Sequence, residues 1–214
     1  MANFRTHLTV AAAGSLAATA VVMQTSHTDH MEALLLFLLG LHAGILPDID
    51  SDHSIPAQLL FTILSFVTAI AVVFLYYDKL LIVPLLFAAG VAALAVRFLL
   101  CPLFAATTEH RGLFHSLPAA LLFGMATFSA GIHLFAWQIS FAWLAAGFVS
   151  GGYLLHLLLD EFYSVDFTGA VLKESFGSAL TLFSGKAWLS YLLLYAAVGI
   201  GAMQLPLPGQ LLPM

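Results

Sequence analysis

Read for chemistry, the chain offers histidines and acids in a few short stretches, and the strongest of these is His156-Leu-Leu-Leu-Asp160. Residues four apart on a helix share a face with Cβ atoms about 5–6 Å apart, near enough to hold one ion together. The competing reading is structural: His156 hydrogen-bonded to Asp160 as glue in an apolar helix. An ionisable side chain at membrane depth costs about 2.5–3.5 kcal/mol on insertion scales, so function is the better default. The second stretch is Leu46-Pro47-Asp48-Ile49-Asp50-Ser51-Asp52-His53-Ser54. Pro47 ends a helix there, and the carboxylates that follow repel one another unless a cation binds. Helix caps by Asp and Ser would account for one or two of these residues but not the group.

The third stretch, Glu109-His110-Arg111-Gly112-Leu113-Phe114-His115-Ser116, sets two imidazoles beside a fixed positive charge. A guanidinium repels a metal, so Arg111 suits an anionic substrate group or charge developing in a transition state. Its bland alternative is a topology anchor. His7 opens the first apolar segment and could complete a coordination sphere. Leu172-Lys173-Glu174-Ser175-Phe176-Gly177-Ser178 puts a lysine and two hydroxyls beside a glycine, which could cradle a phosphate without matching P-loop spacing. His42 reads as a satisfied polar contact inside a helix.

The elements that must position these residues are membrane helices. Of the 214 residues, 62% are hydrophobic and 8% charged, and the mean hydropathy is +1.03, far outside the soluble range. Six basic and eleven acidic side chains give a net charge of −5, which excludes a basic nucleic-acid surface. The single cysteine, Cys101, can form no intramolecular disulfide and lacks partners for a Cys-rich zinc site. Apolar segments near 8–23, 33–46, 57–77, 80–100, 117–135, 141–159 and 187–203 predict an all-α polytopic transmembrane bundle of about six or seven spans. The first two are shorter than the roughly 20 residues a crossing needs, so they are expected to be tilted, thinly covered or re-entrant. The first segment could be taken for a secretory signal, but it lacks a convincing cleavage site and is read as a retained span. The length leaves room for one domain over 1–214 and no separate soluble domain. Pro47, Pro56, Pro84, Pro102 and Pro118 mostly mark span ends, and Gly147, Gly151 and Gly152 would permit close helix approach.

If all seven segments cross, one face holds the N-terminus, the 47–56 and 101–116 loops and the 160–186 segment. His7, Asp48, Asp50, His53, His110, Arg111, His115, His156, Asp160 and Lys173 then share that face, while His27, His30 and His133 lie opposite. Arg5, Arg97, Arg111, Lys173 and Lys186 stand on the shared face against Lys79 alone, which directs it to the cytoplasm.

These motifs resemble the YdjM-type family of inner-membrane, metal-dependent hydrolases. The resemblance runs from Ala2-Asn3-Phe4-Arg5-Thr6-His7 through the 46–54, 110–116 and 152–160 stretches to Lys173-Glu174-Ser175-Phe176-Gly177. It implies an integral protein of the bacterial inner membrane that hydrolyses its substrate with a divalent metal, held by the motif histidines and aspartates.

The expected site is therefore a polar cavity at the cytoplasmic membrane face. His7, Asp48, Asp50, His115, His156 and Asp160 are the expected ligands, with His53 and His110 in reserve. Mixed imidazole and carboxylate ligands suit zinc best, with manganese, iron or magnesium as alternatives, and could serve one or two ions. Metal-activated water would attack, a carboxylate such as Asp50 would take its proton, and Arg111 with Lys173 would hold the anionic group being cleaved. A phosphoester or other ester of a lipid or membrane-associated molecule is the expected substrate. Two other classes fit the same residues. A metal or proton transporter would place them near the bilayer midplane, and a non-catalytic regulatory module would close the coordination shell.

Overall fold

The computed structural model describes residues 3–25, 28–50, 55–107, 112–166, 171–172, 180–203 and 205–206. Helices dominate: α1 Phe4–Thr25, α2 His30–Ala43, α3 Ile55–Tyr76, α4 Ile82–Ala95, α5 Cys101–Thr107, α6 Leu117–His133, α7 Ile139–Tyr163 and α8 Trp188–Met203. A widened turn, Val96–Leu100, carries α4 into α5. The departures among the described residues are a two-residue antiparallel ladder, β1 Val165–Asp166 against β2 Val171–Leu172, and an isolated bridge between Ser116 and Thr181. The fold is thus the all-α membrane bundle expected, and every apolar segment coincides with a helix. Phe4–Thr25, Ile55–Tyr76, Ile82–Phe104 and Ile139–Tyr163 are long and apolar enough to cross a membrane. Counting α4 to α5 as one run, seven helical segments among the described residues carry the apolar sequence, which fits about six or seven spans.

Two expectations about length divide. The first segment reaches farther than its hydropathy indicated, because Asn3 caps the helix: its Oδ1 accepts from Thr6 N at 2.9 Å, drawing residues 4–7 into α1. The second stays short at 14 residues, which at 1.5 Å each is about 21 Å against a hydrocarbon core of about 30 Å. Its start is fixed by a capping box in which Asp29 accepts from Met31 N and Glu32 N while Glu32 accepts from Asp29 N.

The chain divides into two compact units, Met1–Pro47 with Arg111–Met214, and Asp48–His110. In the first, α7 packs against α1, α2 and α6, and α8 lies on α6. Small residues make this possible. Ala119, Ala120, Ala142, Ala145 and Ala146 are buried along α6 and α7, and Ser150 Oγ donates to Ala120 O at 3.2 Å. Gly152 is needed where α7 meets α2, since a Cβ there would strike the Gly40 carbonyl oxygen. Gly147 and Gly151, expected to serve the same purpose, face open space instead.

In the second unit α3 and α4 pair, with Phe61, Leu85 and Ala89 buried and most other apolar side chains outward. That pattern is what a lipid environment favours. Pro102 does not end a helix here. Its ring would clash with the carbonyl of Phe98, and the preceding turn relieves this by widening, with Cys101 N bonded to Val96 O.

Candidate metal centre

Four chain segments of the first unit bring polar residues to one end. The start of α1 supplies His7, the turn after α2 supplies the Gly44 carbonyl, the segment before α6 supplies His115, and the last turns of α7 supply His156 and Asp160. All four side chains are sealed from solvent: His7 and His156 are 2% exposed, His115 and Asp160 0%. His7 Nε2 lies 3.2 Å from Asp160 Oδ1. His115 Nε2 and His156 Nε2 lie 3.7 Å and 3.9 Å from Asp160 Oδ2. The rings of His7 and His156 stack at 3.8 Å, and the ligand atoms of His7, His156 and Asp160 fall within 4.8 Å of one another.

Helix glue is not what this arrangement makes. A nitrogen to oxygen hydrogen bond spans about 2.7–3.2 Å, so at 3.9 Å the pair His156 and Asp160 is not one. His156 Nδ1 instead donates to the Gly44 carbonyl at 2.8 Å, the only role possible toward an acceptor without a proton. In a neutral ring that leaves the Nε2 lone pair aimed toward the carboxylate. A cation can be held by an imidazole lone pair and a carboxylate oxygen together in such a dry site. A carbonyl fixing the far nitrogen of a ligating histidine is also the usual support for such a ligand. The spacing agrees: bonds of about 2.0–2.2 Å to a tetrahedral zinc put ligand atoms roughly 3.4 Å apart. The residues present fit a divalent metal.

Why these atoms meet is a question of backbone approach. At Gly44 an added Cβ would strike the Ala11 side chain, so glycine lets the end of α2 close on α1 and its carbonyl reach His156. His115 sits on a non-helical segment, and Ser116, which follows it, caps α6 by accepting from Ala119 N at 3.3 Å, with Pro118 in the first turn. Thr181, ahead of α8, bridges to this segment. Its Oγ1 donates to His115 O at 2.6 Å and its carbonyl accepts from Leu117 N at 3.1 Å.

Of the residues singled out in the sequence, the structure gathers His7, His115, His156 and Asp160. Asp48 and Asp50 stand in the tight turn Leu46–Asp50, at the start of the second unit. His53, His110, Arg111 and Lys173 lie outside the described residues. His42 is exposed, and its Nδ1 donates to Leu38 O at 2.7 Å, the satisfied contact expected. His30 and His133 belong to the start of α2 and the end of α6, away from the cluster. Sequence reasoning missed Asn3, Gly44, Tyr153 and Thr181. Asn3 was legible as a helix cap and Gly44 as a helix-end glycine, whereas nothing local marks Thr181.

A family model described as YdjM inner membrane protein matches residues 1–205, a span containing all four clustered side chains. No curated protein and no solved structure matches the chain. On that match over nearly its whole length, the chain belongs to the YdjM inner-membrane protein family.

Proposed function

We propose that the chain is a membrane-embedded hydrolase that holds a divalent metal, zinc first among candidates, on His7, His115, His156 and Asp160. The observation that carries this reading is the His156 ring, whose Nδ1 is committed to Gly44 O while its Nε2 faces Asp160. When bound, the ion would supply Lewis acidity and a water acidic enough to attack near neutral pH. The two carboxylate oxygens of Asp160 face different partners, His7 on one side and His115 with His156 on the other. That division suits one ion or two sharing the carboxylate. Asp48, Asp50, His53 and His110 join the proposal as further ligands, with Asp50 as the acceptor of the water's proton. Arg111 and Lys173 would hold the anionic group being cleaved.

A lipid or other membrane-associated ester is the proposed substrate. Its support is a cleft of about 440 Å³ lined by Gly14, Ser15, Gly40, Leu144, Phe148 and Leu155, among others. On α1 the cleft residues Gly14 and Ala18 follow His7 at helical spacing, so on that helix the cleft lies along the face that carries His7, while on α7 most of its lining stands on a neighbouring face. A single domain over 1–214, multi-pass insertion and a cytoplasmic active face complete the reading. The transporter alternative is disfavoured by depth: His7 is in the first turns of α1 and Asp160 in the last turn of α7, not at mid-helix.

The test is metal analysis of the purified protein, followed by a panel of phosphoester and lipid-ester substrates with and without a chelator. Chelation should abolish hydrolysis and added zinc or manganese restore it. Arg111→Ala should lower turnover while leaving bound metal unchanged. A metal-loaded protein that cleaves nothing across the panel would leave the non-catalytic module as the better reading.

A further inference from the structure

His115 is the one clustered histidine not carried by a helix. A non-helical segment packed into the bundle must have its carbonyls satisfied, and here three consecutive ones are taken by hydroxyls, one from the end of the segment itself and two from distant parts of the chain. Ser116 Oγ donates to Leu113 O at 2.6 Å, Tyr153 Oη to Phe114 O at 2.5 Å, and Thr181 Oγ1 to His115 O at 2.6 Å. Tyr191 Oη in turn donates to Thr181 Oγ1 at 3.3 Å, which leaves the threonine proton for His115. Ser116 and Tyr153 are fully buried and Tyr191 nearly so. Each bond grips the backbone beside the imidazole.

We propose that Tyr153 and Thr181, with Tyr191 behind Thr181, are positioning residues that aim the His115 imidazole at Asp160, so that the segment before α8 is a working part of the metal centre. This rests on His115 being a ligand. The physical need is specific. Helical spacing alone sets His156 relative to Asp160, but His115 reaches Asp160 Oδ2 only if its backbone is held, and a displacement of 1 Å at the ring costs a metal bond.

The test uses full-length purified protein titrated with Co(II), whose visible absorption reports ligand number and geometry. Thr181→Val and Tyr153→Phe keep size and remove one hydroxyl each. Either should weaken Co(II) binding about 10- to 100-fold, the range typical of residues that orient a ligand, and alter the visible bands. Thr181→Ser should restore both. In a His115→Ala background Thr181→Val should cost nothing further, because it acts through His115. Equal losses from Thr181→Val in both backgrounds would overturn the proposal, as would unchanged Co(II) binding in Thr181→Val and Tyr153→Phe while His115→Ala is impaired. If Thr181→Val does not fold, Tyr153→Phe and Tyr191→Phe carry the same test, with a smaller effect expected for the second. A His115→Ala protein that binds Co(II) as the parent does would instead remove His115 as a ligand, and this proposal with it.

Discussion

Asp160 answers three imidazoles with two oxygens, and that ratio decides what its replacement should do. Asp160→Asn keeps size and shape but removes the charge that offsets a metal's own. Metal affinity should fall at least 10- to 100-fold, since losing a ligand matters more than losing its support. The bundle should still insert and purify, because the apolar packing around Leu36, Tyr153 and Leu157 does not involve this carboxylate. Bound metal and melting temperature on one preparation separate the two roles of the residue. Unchanged metal with a lower melting temperature would make Asp160 a structural anchor. The sequence made this pair legible because four residues return a helix to the same face. It could not show that the pair stands too far apart to bond directly.

At the scale of elements, two adjacent glycines on α7 look alike in sequence and differ in space. A methyl group at Gly152 would meet the Gly40 carbonyl, while one at Gly151 would meet nothing within 4 Å. Gly152→Ala should force α2 from α7 and cost about 1–3 kcal/mol, as overpacking does. Gly151→Ala should be neutral or stabilising by up to about 1 kcal/mol through helix propensity. Thermal unfolding of both variants in one detergent checks the contrast, and equal melting temperatures would refute the close α2–α7 approach. The helices themselves were readable from hydropathy, and so were the caps at Asp29 and Ser116 once the boundaries were set. The contacts were not, because a glycine at an interface and a glycine facing open space have the same local sequence signature.

For the molecule, the alternation of helices puts the His115, His156 and Asp160 end on one side. His30 and the turn after His133 mark the other end of the same unit. Single cysteines at Tyr163 and Leu134, both exposed, should then label from opposite faces of the membrane in a background with Cys101→Ala. On the proposed orientation, Tyr163 is the one that labels from the cytoplasmic side. Labelling of both from one face would undo the shared-end argument and the cytoplasmic placement together.

Composition and periodicity by themselves determined the membrane class, the helices, and the ends at which polar residues lie, because these follow from transfer energies and from spacing within a single helix. They also determined that His156 and Asp160 share a face. Tertiary structure decided which other histidines join them. His7 and His115 reach Asp160 while His42 turns to its own helix backbone, although nothing in their local sequence ranks them in that order. The reason is distance along the chain. His7 and Asp160 meet because α1, α2 and α7 close on one another at Gly44 and Gly152, and His115 points inward because Tyr153 and Thr181 hold its backbone. Contacts between such distant segments depend on the fit of surfaces to a fraction of a side chain, which no window of sequence contains.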